Sequence, residues 1–141
     1  MTLNHTILII PGLRDHVEEH WQTLLAKELA AQSIPCVTVP PLEQDKLSCQ
    51  ARLDAIDLAL DGIDGPVIIV AHSAGCMMVA HWALRRARPI LGALLAAPAD
   101  VETQMPAGYP PKMCWQPTAG RPSRASACRF PHCWQPAAMT R

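Results

Sequence analysis

No acidic residue follows Glu102, and the only histidines after Ser73 are His81 and His132. Any chemistry that needs a carboxylate or an imidazole late in this chain therefore has few candidates. There is no excess of charge either. Twelve Lys and Arg balance twelve Asp and Glu over 141 residues, so neither a nucleic-acid surface nor a charged tail is indicated. Met1 to His5 lacks the basic start of a secretory signal, and the apolar run after it is too short for a signal core. No stretch is long enough to cross a membrane. The six cysteines contain no Cys-x-x-Cys pair, which removes the usual zinc and dithiol motifs and leaves free thiols in a cytoplasmic chain as the simplest reading. The length fits one domain.

What is present centres on Val67-Ile68-Ile69-Val70-Ala71-His72-Ser73-Ala74-Gly75. An unbroken β-branched run ends in a tight turn carrying a serine, and a helical pattern starts at once behind it. This is the strand–turn–helix setting of a nucleophile elbow, in a form with Ala71 where the first glycine of G-x-S-x-G would stand. Small residues two before and two after the serine avoid clashes at a crowded turn. The serine hydroxyl is thereby lifted to a helix N-terminus, where unpaired N–H groups favour developing negative charge. The Ala74 amide is then one oxyanion-hole donor. The competing reading makes Ser73 a plain N-cap after a buried strand.

Taken in order, Thr6 to Ile10 reads as a buried strand closed by Pro11-Gly12. Asp15 and Glu18 have capping-box spacing, and Trp21, Leu24, Leu25, Ala26 and Leu29 mark the apolar face of a first helix. Cys36 to Val39 is a short strand between Pro35 and Pro40-Pro41. Leu53, Ile56, Leu60 and Ile63 repeat at helical spacing ahead of Gly65-Pro66. The Val67–Val70 strand follows, then Ser73 and a third helix through Met77, Met78, His81, Trp82 and Leu84. Arg85, Arg86 and Arg88 suit that helix's C-terminus. Ile90 to Ala97 is a fourth strand, ended by Pro98. Alternating strands and helices predict an α/β fold, a parallel sheet with helices on both faces.

Four ordered segments carry a resemblance: Ile7-Leu8-Ile9-Ile10-Pro11-Gly12, His20-Trp21-Gln22, Val70-Ala71-His72-Ser73-Ala74-Gly75, and Leu94-Leu95-Ala96-Ala97-Pro98-Ala99-Asp100. Together they resemble the small α/β-hydrolases of the retinoblastoma-binding serine hydrolase family, bacterial members included, over about residues 4–111. The resemblance implies an α/β-hydrolase fold with little or no lid. It also implies a serine hydrolase acting on small esters or amides without a cofactor or metal. The loop at Gly12-Leu13 would supply the second oxyanion donor, through Leu13. His20 and Trp21 would be packing or rim residues.

The pattern then breaks. In this fold the acid and the base follow the nucleophile in the order Ser, Asp, His. His81 falls inside the elbow helix, two turns past Ser73, where packing is its expected role. Asp100, just after a strand, is the candidate acid, placed one strand early. His132 lies in a region that does not read as a hydrolase. Residues 1–111 thus form the α/β-hydrolase part, incomplete at its C-terminal side, and residues 112–141 are irregular, rich in Pro, Arg, Ser, Ala, Cys and Trp.

A disordered tail fits Trp115, Phe130 and Trp134 poorly. A frameshift near Pro110–Met113 fits better. In the frame that joins the third base of one codon to the first two of the next, Met113 through Gln116 force Val-Leu-Ala. His132 through Gln135 force Leu-Leu-Ala, and Met139 with Thr140 forces Asp. With permitted codons between them, residues 131–141 spell Pro-Ser-Leu-Leu-Ala-Ala-Ser-Arg-Asn-Asp-Pro, a buried strand leading to an Asp-containing loop. As written, the chain lacks the family's base and acid, so weak or absent turnover is expected. Two other readings stand beside the hydrolase. One is a non-catalytic binding protein on the same fold. The other is zinc held by Cys114, Cys128, His132 and Cys133, whose spacing matches no familiar zinc pattern. Cys76, on the elbow helix, is expected to be packed rather than reactive. Oligomeric state stays open.

Overall fold

The computed structural model describes residues 4–13, 17–42, 44, 48–85 and 88–100. Four strands form one parallel sheet: β1 (Thr6–Ile10), β2 (Cys36–Thr38), β3 (Val67–His72) and β4 (Gly92–Ala96). Three helices connect them: α1 (Trp21–Ala31), α2 (Cys49–Asp61) and α3 (Ala74–Arg85). The strand order is β2-β1-β3-β4. The β1–β3 register runs from Thr6 opposite Val67 to Ile10 opposite Ala71.

The chain steps from β1 outward to β2, returns past β1 to β3, and continues to β4. Right-handed crossovers then put α1 on one face of the sheet and α2 and α3 on the other. Strand alternation separates the two faces. Leu8, Ile10, Val67, Ile69 and Ala71 join Leu53, Ile56, Leu60, Met78, Val79 and Trp82 in the main core, while Ile9 and Val70, also buried, lie outside that cluster. Leu53, Ile56 and Leu60 form the buried face predicted for α2, while Ile63, also buried, lies just past the end of the helix, which stops at Asp61 with Gly62 as its C-cap. Trp82 reaches across from α3 and donates its indole N–H to Asp57 on α2 at 2.8 Å.

Three expectations are corrected. First, the Asp15–Glu18 capping box does not start α1. Glu18 sits in a turn ahead of the helix, and the N-cap is His20, whose ring accepts the Gln22 amide at 3.3 Å; Asp15 lies outside the described residues. Second, α1 does not bury its whole apolar face. Trp21 and Leu24 are exposed, and its most buried residue is polar Gln22. Third, Arg88 does not serve the C-terminus of its own helix, which ends at Arg85. Its guanidinium instead donates to the carbonyls of Leu60, Ile63 and Gly65, placing a cation at the negative end of α2. Met77 and Leu84 of α3 are less buried than Met78, His81 and Trp82. Residues 112–141, with Cys114, Cys128, His132 and Cys133, fall outside the described residues.

Candidate active site

The strand order reverses direction between β1 and β3, and ligands of open α/β sheets bind beyond the strand ends at such a switch point. Ser73 stands there, alone between the end of β3 and the start of α3. Its φ is +53°, the left-handed region that costs a non-glycine residue about 1–3 kcal/mol and recurs at functional turns. The surroundings fix this conformation from both sides. The Ser73 amide donates to Ala96 O at 3.0 Å, and its carbonyl accepts from Cys76 at 3.0 Å and from Ala99 at 3.3 Å. The ends of β3 and β4 are therefore stitched together through the turn.

Gly75 explains why a small residue is required two positions after the serine. A Cβ there would lie 2.6 Å from Ile10 O and 2.7 Å from Pro11 O, so α3 can begin against the exit of β1 only with glycine. Ala71, in the other small position, is fully buried in the core. Gly12 sits close to Ser73: a Cβ on it would be 3.4 Å from Ser73 Cβ and 3.7 Å from His72 Nδ1. Leu13 follows and packs partly against the core. The Pro11–Leu13 loop and the first turn of α3 thus converge on Ser73, and the first N–H groups of a helix have no partner within it.

Beside the turn lies a group of three rings. His72 faces His20 edge-on with centroids 4.6 Å apart, and faces Trp21 at 5.9 Å and 82°. Burial, and then the nearby His20, lower the His72 pKa below the ordinary histidine value, so its ring is neutral near pH 7. Neither imidazole hydrogen-bonds the Ser73 hydroxyl, and among the described residues no side chain does. His81 is buried on α3, and burial followed by Arg85 lowers its pKa, as suits a packed residue. Asp100 follows β4 on an exposed stretch and has an interaction partner of its own. Cys76 is buried, donates its thiol to Ala96 O at 3.3 Å, and has its pKa pushed up to about 11 by burial.

The residue that the periodicity did not mark is Gln22. It is 3% exposed, and its Nε2 donates to Ile10 O at 3.1 Å and to Val70 O at 3.2 Å. The signal was present as a polar residue inside the His20-Trp21-Gln22 segment, hidden because a helical hydrophobic pattern gives polar positions to solvent. A concavity of about 300 Å³, open to solvent, lies near the same strand ends and is lined by Ile10, Pro11, Val39, Arg52 and Met78 among others. Among the described residues no helix is long and apolar enough to cross a membrane, and no cluster of three or more His, Cys, Asp or Glu is placed to hold a metal ion.

Comparison with known proteins agrees with this geometry. No functionally curated protein matches the chain. Among solved structures, a YdeN-like hydrolase from Pectobacterium atrosepticum is similar at 26% identity with a TM-score of 0.57, over 69% of this chain and 50% of that one. The chain thus spans about half the length of that relative. The serine hydrolase family model matches residues 7–123, most of the sequence and both strands that meet at the switch point, and the chain belongs to the serine hydrolase family.

Proposed function

We propose that Ser73 is the nucleophile of a serine hydrolase acting on small esters or amides, within the retinoblastoma-binding branch of the family. The observation that carries this reading is the left-handed Ser73 turn at the β1/β3 switch point, with Gly12 and the start of α3 drawn up to it. In this reading the amides of Ala74 and Leu13 hold the oxyanion of the tetrahedral intermediate. Asp100 is the candidate acid within this chain, and no base serves Ser73 among the described residues, so turnover by the chain as written is weak. No cofactor or metal takes part. The substrate is met in free cytoplasmic solution, not on nucleic acid or at a lipid surface. The test is labelling by a fluorophosphonate probe: a competent site labels wild type, and Ser73→Ala removes the label.

One observation favours a second reading, a non-catalytic binding protein or inactive remnant on the same fold. The Ser73 hydroxyl has no hydrogen-bond partner among the described side chains. Wild type that stays unlabelled while retaining its fold selects this reading. The frameshift near Pro110–Met113 bears on both and is tested by resequencing codons 107–141. A one-base change that restores the alternative frame predicts full activity in the corrected protein, and a confirmed frame predicts the remnant.

A further inference from the structure

We infer that Gln22 is a positioning residue for Ser73, a strut that sets the gap between the strand feeding the oxyanion loop and the strand carrying the nucleophile. The inference rests on the hydrolase reading for its catalytic meaning and on geometry alone for the strut. Ile10 ends β1 immediately before Pro11-Gly12-Leu13, and Val70 lies three residues before Ser73. The Gln22 carboxamide, carried in from α1, spans both carbonyls with one nitrogen. It does so at the switch point, at the end of the β1–β3 ladder, whose last pair is Ile10 opposite Ala71.

Two further observations single it out. The Ile10 carbonyl is clasped from both faces of the sheet. Gln22 Nε2 holds it on the α1 side, and Gly75 on the α3 side leaves no room for even a methyl group. A shift of Gln22 would therefore be felt at the elbow helix as well as at the loop. The second observation is a cost: Gln22 Oε1 is buried with no hydrogen-bond partner. Both carbonyls accept from the amide nitrogen, so the nitrogen faces them and the oxygen is left without a partner. A stranded buried acceptor calls for an explanation, and the double contact at the site supplies one. A leucine would fill the same space without the stranded oxygen, yet could bridge nothing.

The test uses the full chain. Gln22→Leu keeps the volume and removes both bonds. For fluorophosphonate labelling of Ser73, the maximal rate is expected to fall about tenfold or more, the scale on which small misplacements of reacting groups register, with the probe's half-saturating concentration nearly unchanged. A fall no larger than the loss of folded protein overturns the proposal. Gln22→Glu supplies a signature that packing alone would not give. Its protonated carboxyl can donate one of the two bonds, so its labelling rate relative to wild type should rise as pH falls; a flat ratio counts against the strut. Hydrogen exchange decides independently of chemistry. In Gln22→Leu the hydrogen-bonded amides of the turn, Ser73, Cys76 and Ala99, should exchange faster while those of α2 do not change. If wild type fails to label, the hydrolase reading fails by itself, and unchanged exchange at those three amides is what refutes the strut.

Discussion

Replacing Gly75 by alanine should cost stability and site geometry together. The added methyl would sit 2.6 Å from Ile10 O and 2.7 Å from Pro11 O, roughly 0.7–0.8 Å inside an ordinary carbon–oxygen contact. Neither atom is the end of a flexible side chain. Ile10 O is also pinned by Gln22 at 3.1 Å, so the strain must be relieved by pushing the start of α3 away from β1. Overpacking of this kind costs about 1–3 kcal/mol, and a domain of this size loses about 4–8 °C in Tm per kcal/mol. A fall of roughly 10 °C, followed by far-UV circular dichroism, is expected, and Ser73 labelling should drop in the fraction that remains folded. Gly12→Ala is the control. Its methyl meets Ser73 Cβ at 3.4 Å and His72 O at 3.5 Å, ordinary contacts, so Tm should hold to within about 2 °C while the space beside Ser73 is narrowed. A Gly75→Ala protein that melts with wild type and labels at the wild-type rate would refute the argument that this glycine lets α3 seat on β1.

Other perturbations read different parts of the same fold. Arg88→Leu removes a guanidinium that holds three carbonyls at the end of α2; the loss should be about 1–3 kcal/mol, given that these bonds are charge-assisted but partly exposed, and urea denaturation measures it. Cys76, with a pKa of about 11, carries roughly one thiolate per thousand molecules at pH 8, so iodoacetamide should spare it in the native protein and modify it after unfolding. His72 and His81 both have lowered pKa values, chiefly through burial. The unfolded chain then binds more protons than the folded one as pH falls through the ordinary histidine value, so Tm should decline on acidification from about pH 7 toward pH 5. His81→Gln should flatten that slope; an unchanged slope would mean that carboxylates govern the acid limb.

The sheet, its order of elements and the tight Ser73 turn between β3 and α3 were legible because each has a strong local cause. Val67–Val70 is β-branched and continuous, Pro11-Gly12 and Gly65-Pro66 punctuate it clearly, and the α2 residues repeat with one period. What stayed illegible depends on partners distant in sequence. Arg88 looks like a helix-end cation for the helix it follows, and only the packing of α2 beside α3 redirects it to Leu60 and Ile63. Gln22 looks like a surface position, because nothing in its neighbourhood announces the two carbonyls on β1 and β3 that it will meet. The start of α1 was misplaced for a related reason: Asp15 and Glu18 satisfy a spacing rule, but the chain first turns at 17–20 and the imidazole of His20 takes the capping role.

The order of the strands explains how so much of the Ser73 turn is set by the first hundred residues. Everything that shapes Ser73 among the described residues comes from β1, α1, β3, α3 and the end of β4, all met before residue 100. A triad in the order Ser, Asp, His draws its acid and base from later segments, so nucleophile and base are separable along the chain in a way that strand and elbow are not. Among the described residues β4 is an edge strand, where Leu94 is 55% and Leu95 39% exposed, with Leu91 just before them at 62%. Apolar side chains grouped on a sheet edge are a place for further structure to pack and a liability where none does. Substituting Leu94 and Leu95 by lysine and threonine should leave the Ser73 turn intact, because its anchor at β4 is the backbone carbonyl of Ala96, and should raise the concentration at which the protein stays monodisperse in light scattering. If the double substitution abolished the fold instead, those leucines would already be covered, and β4 could not be an open apolar edge.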